Sequence, residues 1–346
     1  MRERVLTERE LNRALLARQL LLERGRASLP RTVEGMGGVQ AQYAPSAYIG
    51  LWSRLAKFER EDLTRALERR SVVQGTLMRT TIHIVSARDY PLFAEGIREA
   101  RRRSWLRGRR GRVDAGAVEA AARAARELLA KGPTRRADVV EALGIDSTIW
   151  NGVGVWLDLV RVPPSGTWDQ RRADLYAMAE DWLGPTSASA ADGLVHLLRR
   201  YLGAFGPASL ADAANWAGVP PAALALAVEG LRLRRFRSES GEELLDLPRA
   251  PLPGAATPAP VRFLPTWDAV LLVHARRTQI LSEEHRPLVF NTKTPHSVST
   301  FLVDGQVAGI WSYERGRVTV TPFAPLPGSA RRELAEETKR LEAFLA

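Results

Sequence analysis

Apolar positions along the first ninety residues mark out a series of elements. After Thr7-Glu8-Arg9-Glu10, where the Thr hydroxyl caps a helix and Glu10 reaches back to the cap, Leu11, Ala14, Leu15 and Leu22 share one helical face. The pattern predicts a short helix over residues 30–36, one over 46–56 with Ile49, Trp52 and Leu55 apolar, and another over 59–69. The runs 72–77 and 81–85, rich in Val, Ile and Thr, predict paired strands around Met78-Arg79-Thr80. Ser86-Ala87-Arg88-Asp89 reads as a second capping box, opening a helix that ends in an arginine run. Helices followed by a small hairpin form the pattern of a winged helix, in which a helix enters a DNA groove and the hairpin touches backbone or minor groove.

The theme then repeats. Gly132-Pro133, Ala137-Asp138 and Gly144 are matched by Gly206-Pro207, Ala211-Asp212 and Gly218, offset by 74 residues at all five positions. Self-similarity of this kind marks homologous modules. Each copy leads into a longer helix and a basic hairpin, over 160–168 with a return near 174–178, and over 231–236 and 243–247 with a turn at 238–241. A proline-rich linker spans 250–260. Beyond it, 299–303, 307–313 and 317–323 alternate as strands, with Asp304-Gly305 and Arg315-Gly316 as turns, and Ser329 opens a last helix carrying Leu334, Leu341 and Leu345. The expected fold is mainly α with small β hairpins: winged-helix domains over 1–112, 113–183 and 184–250, then a linker, β-barrel or sheet and helix over 251–346.

Composition narrows the function. The absence of cysteine among 346 residues excludes a disulfide framework, cysteine-ligated zinc and a thiol nucleophile. Arg2, Glu3 and Arg4 follow Met1 at once, and no apolar run approaches the length of a membrane span, so a soluble, cytoplasmic protein without membrane contact is expected. The net charge is +11, and 46 of 50 basic residues are arginine, with Lys57, Lys131, Lys293 and Lys339 the exceptions. GC-rich coding raises arginine everywhere. It does not explain the eight arginines and single acid between residues 98 and 112. Guanidinium groups suit phosphate oxygens and guanine edges, which points to nucleic acid.

The chemistry centres on Gly37-Gly38-Val39-Gln40-Ala41-Gln42-Tyr43-Ala44-Pro45. In an extended chain Gln40 and Gln42 point to one face, and Pro45 can open a helix. The alternative is two polar residues binding backbone at a helix end. No phosphate-binding G-x-x-x-x-G-K-[ST] loop, H-E-x-x-H or G-x-S-x-G motif is present. His274, His285 and His296 stand eleven apart, which is no metal-ligand spacing, and no metal or organic cofactor is expected. Trp52, Trp156, Trp182 and Trp216 sit in apolar helical patterns and read as core.

Residues 37–53 (GGVQAQYAPSAYIGLWS), 77–89 (LMRTTIHIVSARD) and 160–182 (VRVPPSGTWDQRRADLYAMAEDW) resemble the AlkZ-like (YcaQ-like) winged-helix DNA glycosylases. Phe263-Leu264-Pro265-Thr266-Trp267-Asp268 and Val303-Asp304-Gly305-Gln306-Val307 fit the family's C-terminal part, so the resemblance covers most of the chain. It implies three winged helices and a β-barrel around duplex DNA, and monofunctional excision of alkylated bases, N7-alkylguanine and some interstrand crosslinks included. The family's catalytic Gln–apolar–Gln/Asp motif falls on Gln40 and Gln42, with Ala41 smaller than usual between them.

An amide cannot serve as a general base. A cationic base, however, is already a good leaving group, so holding a water in line and presenting carbonyl dipoles to the sugar suffices. In this reading Gln42 positions the water and Gln40 supports the sugar charge. Arg79 and His83 are the expected lesion contacts on the hairpin. Arg135, Arg136, Arg161, Arg171 and Arg172, with Ser165 in the same block, are the expected DNA-binding residues. The expected partner is double-stranded DNA with alkylated bases, bound by a monomer. The competing classes are a non-catalytic winged-helix regulator, which usually pairs one module per subunit across a dimer, and a drug-sequestering or scaffold protein, for which no sequence feature speaks.

Overall fold

A computed structural model describes residues 3–275, 277–290 and 297–346; Lys293 and His296 lie outside them. The fold is mixed, about 46% helical with 14 helices among the described residues, so helices dominate as the apolar periodicity predicts.

β1 (Val5–Leu6) precedes α1 (Glu8–Arg18), which begins on the predicted capping box with both reciprocal bonds formed at Thr7 and Glu10. α2 (Leu29–Gly35) leads to β2 (Val39–Gln40), and α3 (Ala44–Arg54) starts with Pro45 in its first turn. α4 (Arg60–Glu68), β3 (Val72–Thr76) and β4 (Ile82–Ser86) follow within a residue or two of their predicted bounds, whereas α5 (Tyr90–Arg107) starts three residues later than the Ser86 box predicts, because Ser86 ends β4 and its hydroxyl accepts from the Asp89 N–H in the turn between them. Asp89 does not cap α5 with its side chain. It is buried instead, accepting from His196 Nε2 and Arg200 Nη2, each at 2.8 Å.

The 74-residue repeat becomes a repeated topology. α6 (Ala115–Leu129) is followed by β5 (Thr134–Arg135), α7 (Arg136–Leu143), α8 (Ser147–Trp156) and the hairpin β6 (Leu159–Arg161) and β7 (Leu175–Met178). After the short α9 (Ala179–Leu183), α10 (Ala190–Phe205), α11 (Leu210–Ala217), α12 (Pro221–Glu229) and the hairpin β8 (Arg234–Ser238) and β9 (Glu243–Asp246) retrace that order. α7 and α11 both stop at a left-handed glycine, Gly144 at φ 60° and Gly218 at φ 75°.

The hairpins are not independent wings. One antiparallel sheet runs β2-β4-β3-β6-β7-β5, and the pairs Gln74↔Arg161 and Gly75↔Val160 stitch β3 to β6. Each hairpin thereby covers an edge that would otherwise offer unpaired backbone groups. β1 covers the third hairpin by pairing parallel to β8. The C-terminal part comprises β10 (Arg262–Leu264), α13 (Arg286–Val289), β11 (Thr300–Val303), β12 (Gln306–Glu314), β13 (Arg317–Pro322) and α14 (Gly328–Leu345). Its strands form a four-stranded meander in chain order. Among the described residues β10 and β13 do not pair, so this region is an open sheet and not the closed barrel that the resemblance implied. The turns at Asp304-Gly305 and Arg315-Gly316 have positive φ at both residues, as two-residue hairpin turns require.

One large core joins α1, the β3–β4 hairpin, α5 and α10–α12, with Phe93, Tyr201, Phe205 and Trp216 inside it. A second packs α2–α4 against the C-terminal sheet and Leu334, Leu341 and Leu345 of α14. Residues under α6 and α8, such as Ala125, Val139, Trp150 and Val153, form a smaller core of their own. Trp52 and Trp216 are buried, and Trp156 and Trp182 pack against core clusters.

Candidate active site and nucleic-acid interface

The glutamine stretch is shaped by what lies on either side. Gly38, at φ +89°, also lies so close to β4 that an added Cβ would stand 3.0 Å from Val85 Cγ1. β2 then pairs antiparallel with β4, Gln40 opposite His83. The strand stops there, because the chain must turn to start α3 at Ala44. The Ala41 N–H still donates to Ile82 O at 2.8 Å, and the Gln42 side chain completes the ladder, its Oε1 accepting from the Ile82 N–H at 3.2 Å. Gln40 is buried, whereas Gln42 is exposed. The two amides therefore occupy different environments and do not share the single face that an extended chain would give them. Gln40 Oε1 accepts a long bond, 3.4 Å, from Arg79 Nη2. The Nε2 of Gln42 has no partner among the described residues.

The hairpin tip is docked, not free. Arg79 and Thr80 both have left-handed backbones, at φ 52° and 59°. Arg79 lies against the C-terminal end of α11, where a Cβ on Gly218 would be 3.0 Å from its backbone nitrogen. Its Nη1 donates to Trp216 O at 2.9 Å, a place where the helix dipole favours a cation. No carboxylate pairs with it among the described residues, and burial lowers its pKa. Thr80 is the exposed residue of the tip.

His83 is 3% exposed, and its Nδ1–H donates to Thr81 O at 3.1 Å. Burial, with the Arg79 charge nearby, pushes its pKa from 6.5 down to about 3. It is a neutral strand residue and gives a phosphate no charge to bind. Between pH 6.5 and about 3 the unfolded chain binds a proton at this residue that the folded chain refuses. Stability is therefore lost as pH falls through that window, by up to about 1.4 kcal/mol per unit. The substitution His83→Asn keeps the donor to Thr81 and removes the titration. The acid-unfolding midpoint, followed by circular dichroism, should move to lower pH; an unmoved midpoint removes His83 from the acid response.

The other expected DNA contacts divide by burial. Ser165 closes the β6–β7 loop: its hydroxyl donates to Arg172 O at 2.9 Å and accepts from the N–H groups of Asp174 (2.7 Å) and Leu175 (3.1 Å). Its bonds are spent within the loop and none is presented to a ligand. Arg161 is 8% exposed at the β3–β6 seam, donating to Thr76 Oγ1 at 3.0 Å with its guanidinium 5.2 Å from the Tyr176 ring. Arg135, Arg171 and Arg172 are exposed and Arg136 is half-buried. Arg135 and Arg172 each lie 3.2 Å from Asp174, and Arg136 and Arg171 have no acidic partner among the described residues. Much of the arginine run of α5 is likewise structural. Arg101 is buried, donating to Thr76 O and Val155 O beside Asp158, and Arg98 pairs with Glu95 and Asp158.

Gln42 stands on the wall of a cleft of about 440 Å³ between the β3–β4 hairpin and α8. Thr76, Thr80, Asn151, Arg109 and Arg161 also line it, and no carboxylate or lysine is among its described lining residues. A site of this composition attracts anionic backbone and holds no acid to protonate a leaving base.

Two features had no role in the sequence reading. Ser46, Gly50, Ser53 and Arg54 form a stripe along α3 that docks on residues 263–268. Ser46 bonds Thr266 at 2.8 Å, Gly50 faces Pro265, Ser53 Oγ donates to Phe263 O, and Arg54 grips Asp268 through two bonds of 2.7 and 2.9 Å. This brace fixes the helix that begins two residues after Gln42. Its sequence signal was the PTWD motif itself, noted only as a likeness. The second feature is Tyr43, exposed beside Gln42, whose hydroxyl accepts from Arg171 Nη1 at 3.0 Å.

Among the described residues no three His, Asp or Glu side chains converge as a metal site, and no helix is long and apolar enough to cross a membrane. His274 lies against Tyr201 and Asp212, and His285 against Phe323.

No curated protein sequence matches the chain. Among solved structures, the DNA glycosylase AlkZ of Streptomyces sahachiroi is similar, with a TM-score of 0.82 over 98% of this chain and 97% of that one. At 21% identity this likeness shows a shared fold. The family model "DNA glycosylase AlkZ-like" matches residues 33–344, nearly the whole length. The chain belongs to the AlkZ-like DNA glycosylase family.

Proposed function

We propose that this chain is a monofunctional DNA glycosylase that hydrolyses the N-glycosidic bond of cationic alkylated purines such as N7-alkylguanine, in duplex DNA and as a monomer. The observation that carries the reading is the Gln42 amide, exposed and held by the Ile82 N–H on the wall of a cleft with no carboxylate among its described lining residues. With its Oε1 fixed, its Nε2 is turned to a defined place and orients a water toward the sugar. Gln40, two residues back on β2 and buried beside Arg79, is the proposed support for the developing oxocarbenium charge from behind Gln42. A base that is already cationic leaves without protonation. A lyase step needs an amine nucleophile, and no lysine is among the described residues that line the cleft.

In this reading residues 1–112, 113–183 and 184–250 are three winged-helix modules, and 251–346 supply the linker, sheet and terminal helix. The matching element order at a 74-residue offset supports the second and third. Unhooking of interstrand crosslinks belongs to the same proposal, since Gln42 sits at an exposed edge and needs no deeply flipped base.

The test is base release from duplexes carrying N7-methylguanine, with uracil-containing duplexes beside them. Release from the first and not the second is the expected result. Release of uracil overturns the preference for cationic bases, and tight binding without release from either returns the chain to the non-catalytic class.

The exposed side of the β6–β7 loop, with Arg136 at the start of α7 beside it, is the proposed phosphate contact. Replacing Arg136, Arg171 and Arg172 together by glutamate should weaken duplex binding. It should also lower the slope of log affinity against log salt by up to about 3, close to 0.9 per lost phosphate. An unchanged slope removes this loop from the interface.

A further inference from the structure

Tyr43 is out of place for an aromatic residue of this fold. The rings around it are packed: Tyr48 and Trp52 on α3 are 0% and 7% exposed, whereas Tyr43, the residue before that helix, is 46% exposed. Its backbone is extended, at φ −125° and ψ 119°, and the α3 start and the Gln42–Ile82 bond confine it from both sides. An exposed ring loses the favourable transfer from water that a buried one gains. A polar residue at this place would serve α3 equally well.

What touches Tyr43 comes from another module. Arg171, in the loop between β6 and β7, donates Nη1 to the Tyr43 hydroxyl at 3.0 Å, with its guanidinium 6.0 Å from the ring. The same guanidinium lies 5.8 Å from the Trp168 ring, and Trp168 is anchored between Tyr48, Phe344 and Arg60. Arg171 has no carboxylate partner among the described residues. The phenol is thus held upright beside the catalytic amide by a cation that a phosphate oxygen would bind more strongly than a neutral hydroxyl does.

We infer that Tyr43 is a stacking residue for the nucleotide beside the lesion, and that Arg171 exchanges the Tyr43 hydroxyl for a backbone phosphate when DNA arrives. The ligand is a purine or pyrimidine face exposed by loss of stacking at the damaged step. Base–aromatic stacking has the right strength and is indifferent to sequence, as the neighbour of a random lesion requires. Arg171 and Tyr43 then grip the phosphate and the base of one strand, and the adjoining glycosidic bond falls at Gln42. This inference rests on the reading of the Gln42 side as the face that meets DNA.

The experiment uses a duplex with 2-aminopurine next to a tetrahydrofuran abasic site, which no glycosylase can cleave. Binding is followed by anisotropy and stacking by 2-aminopurine emission at saturating protein. The wild type should change the emission, and Tyr43→Phe, which keeps the ring and loses the hydroxyl, should change it equally. Tyr43→Ala should leave it at the free-duplex value and weaken binding about tenfold, the loss expected for one stacked base. Equal emission changes for Tyr43→Ala and wild type overturn the inference and leave the proposed function standing. Failure of the wild type to bind the duplex overturns both.

Discussion

Gln42→Ala is expected to lower the single-turnover rate of N7-methylguanine release by about a hundredfold or more, the usual effect of removing one preorganised polar group from a reacting centre. Duplex affinity should hardly change, because the amide is neutral and the charged groups proposed to meet phosphate lie elsewhere. Stability should hardly change either. The Ile82 N–H loses its acceptor at an exposed position, where water replaces it. A rate collapse with both affinity and melting temperature preserved is the signature that separates a catalytic amide from a helix-end residue binding backbone. If release persists within threefold of wild type, the water is held by another group and the site must be moved.

Asp268→Ala is expected to produce the largest loss of stability. Arg54 and Asp268 are almost fully buried, at 1% and 3% side-chain exposure, and meet through both guanidinium nitrogens. Removing the carboxylate leaves a buried cation with only the Gly50 carbonyl for company. Breaking such a pair from one side costs about 3–5 kcal/mol. For a chain of this size that is a fall of roughly 10 °C in melting temperature. Replacing both partners by apolar residues, Arg54→Met with Asp268→Leu, should recover most of the stability, because the charge has gone together with its partner. The double variant should still release base slowly, since α3 and the loop before it are then seated by packing alone. A single-variant loss under 1 kcal/mol would show that Arg54 finds water or another acceptor, and the brace would not be what fixes the helix.

The parts legible in the sequence are those set by local chemistry. The β3–β4 hairpin could be placed because runs of six and five residues rich in Val, Ile and Thr flank a three-residue break. The ends of α7 and α11 could be placed because Gly144 and Gly218 terminate them in a conformation that few residues adopt. What stayed hidden depends on partners far along the chain. Gln40 and Gln42 read as a matched pair only while the strand is taken to continue; the start of α3 ends it, and β4 decides which amide is buried. Arg79 and Arg161 look like surface cations until α11 and the β3–β6 seam cover them. Ser165 looks like a phosphate ligand until its hydroxyl closes its own loop. The pairing of β1 with β8 involves only Val5, Leu6, Arg237 and Ser238, too few residues to leave a periodic trace. The Arg54–Asp268 pair spans 214 residues, and although the PTWD motif marks Asp268, nothing in sequence marks Arg54 as its partner.

The stitched sheet has a mechanical consequence. Two hairpins hydrogen-bonded into a single six-stranded sheet have no linker between them to flex, so the span from one to the other is set when the protein folds. A duplex laid across both must conform to that span by its own bending. For intact DNA, a bend of 40–90° over a few turns costs about 1–6 kcal/mol. An alkylated or crosslinked step with weakened stacking bends at lower cost. On the proposed function, stiffness in the protein becomes a way of sensing softness in the DNA, so that damaged duplex is favoured before any single base is inspected.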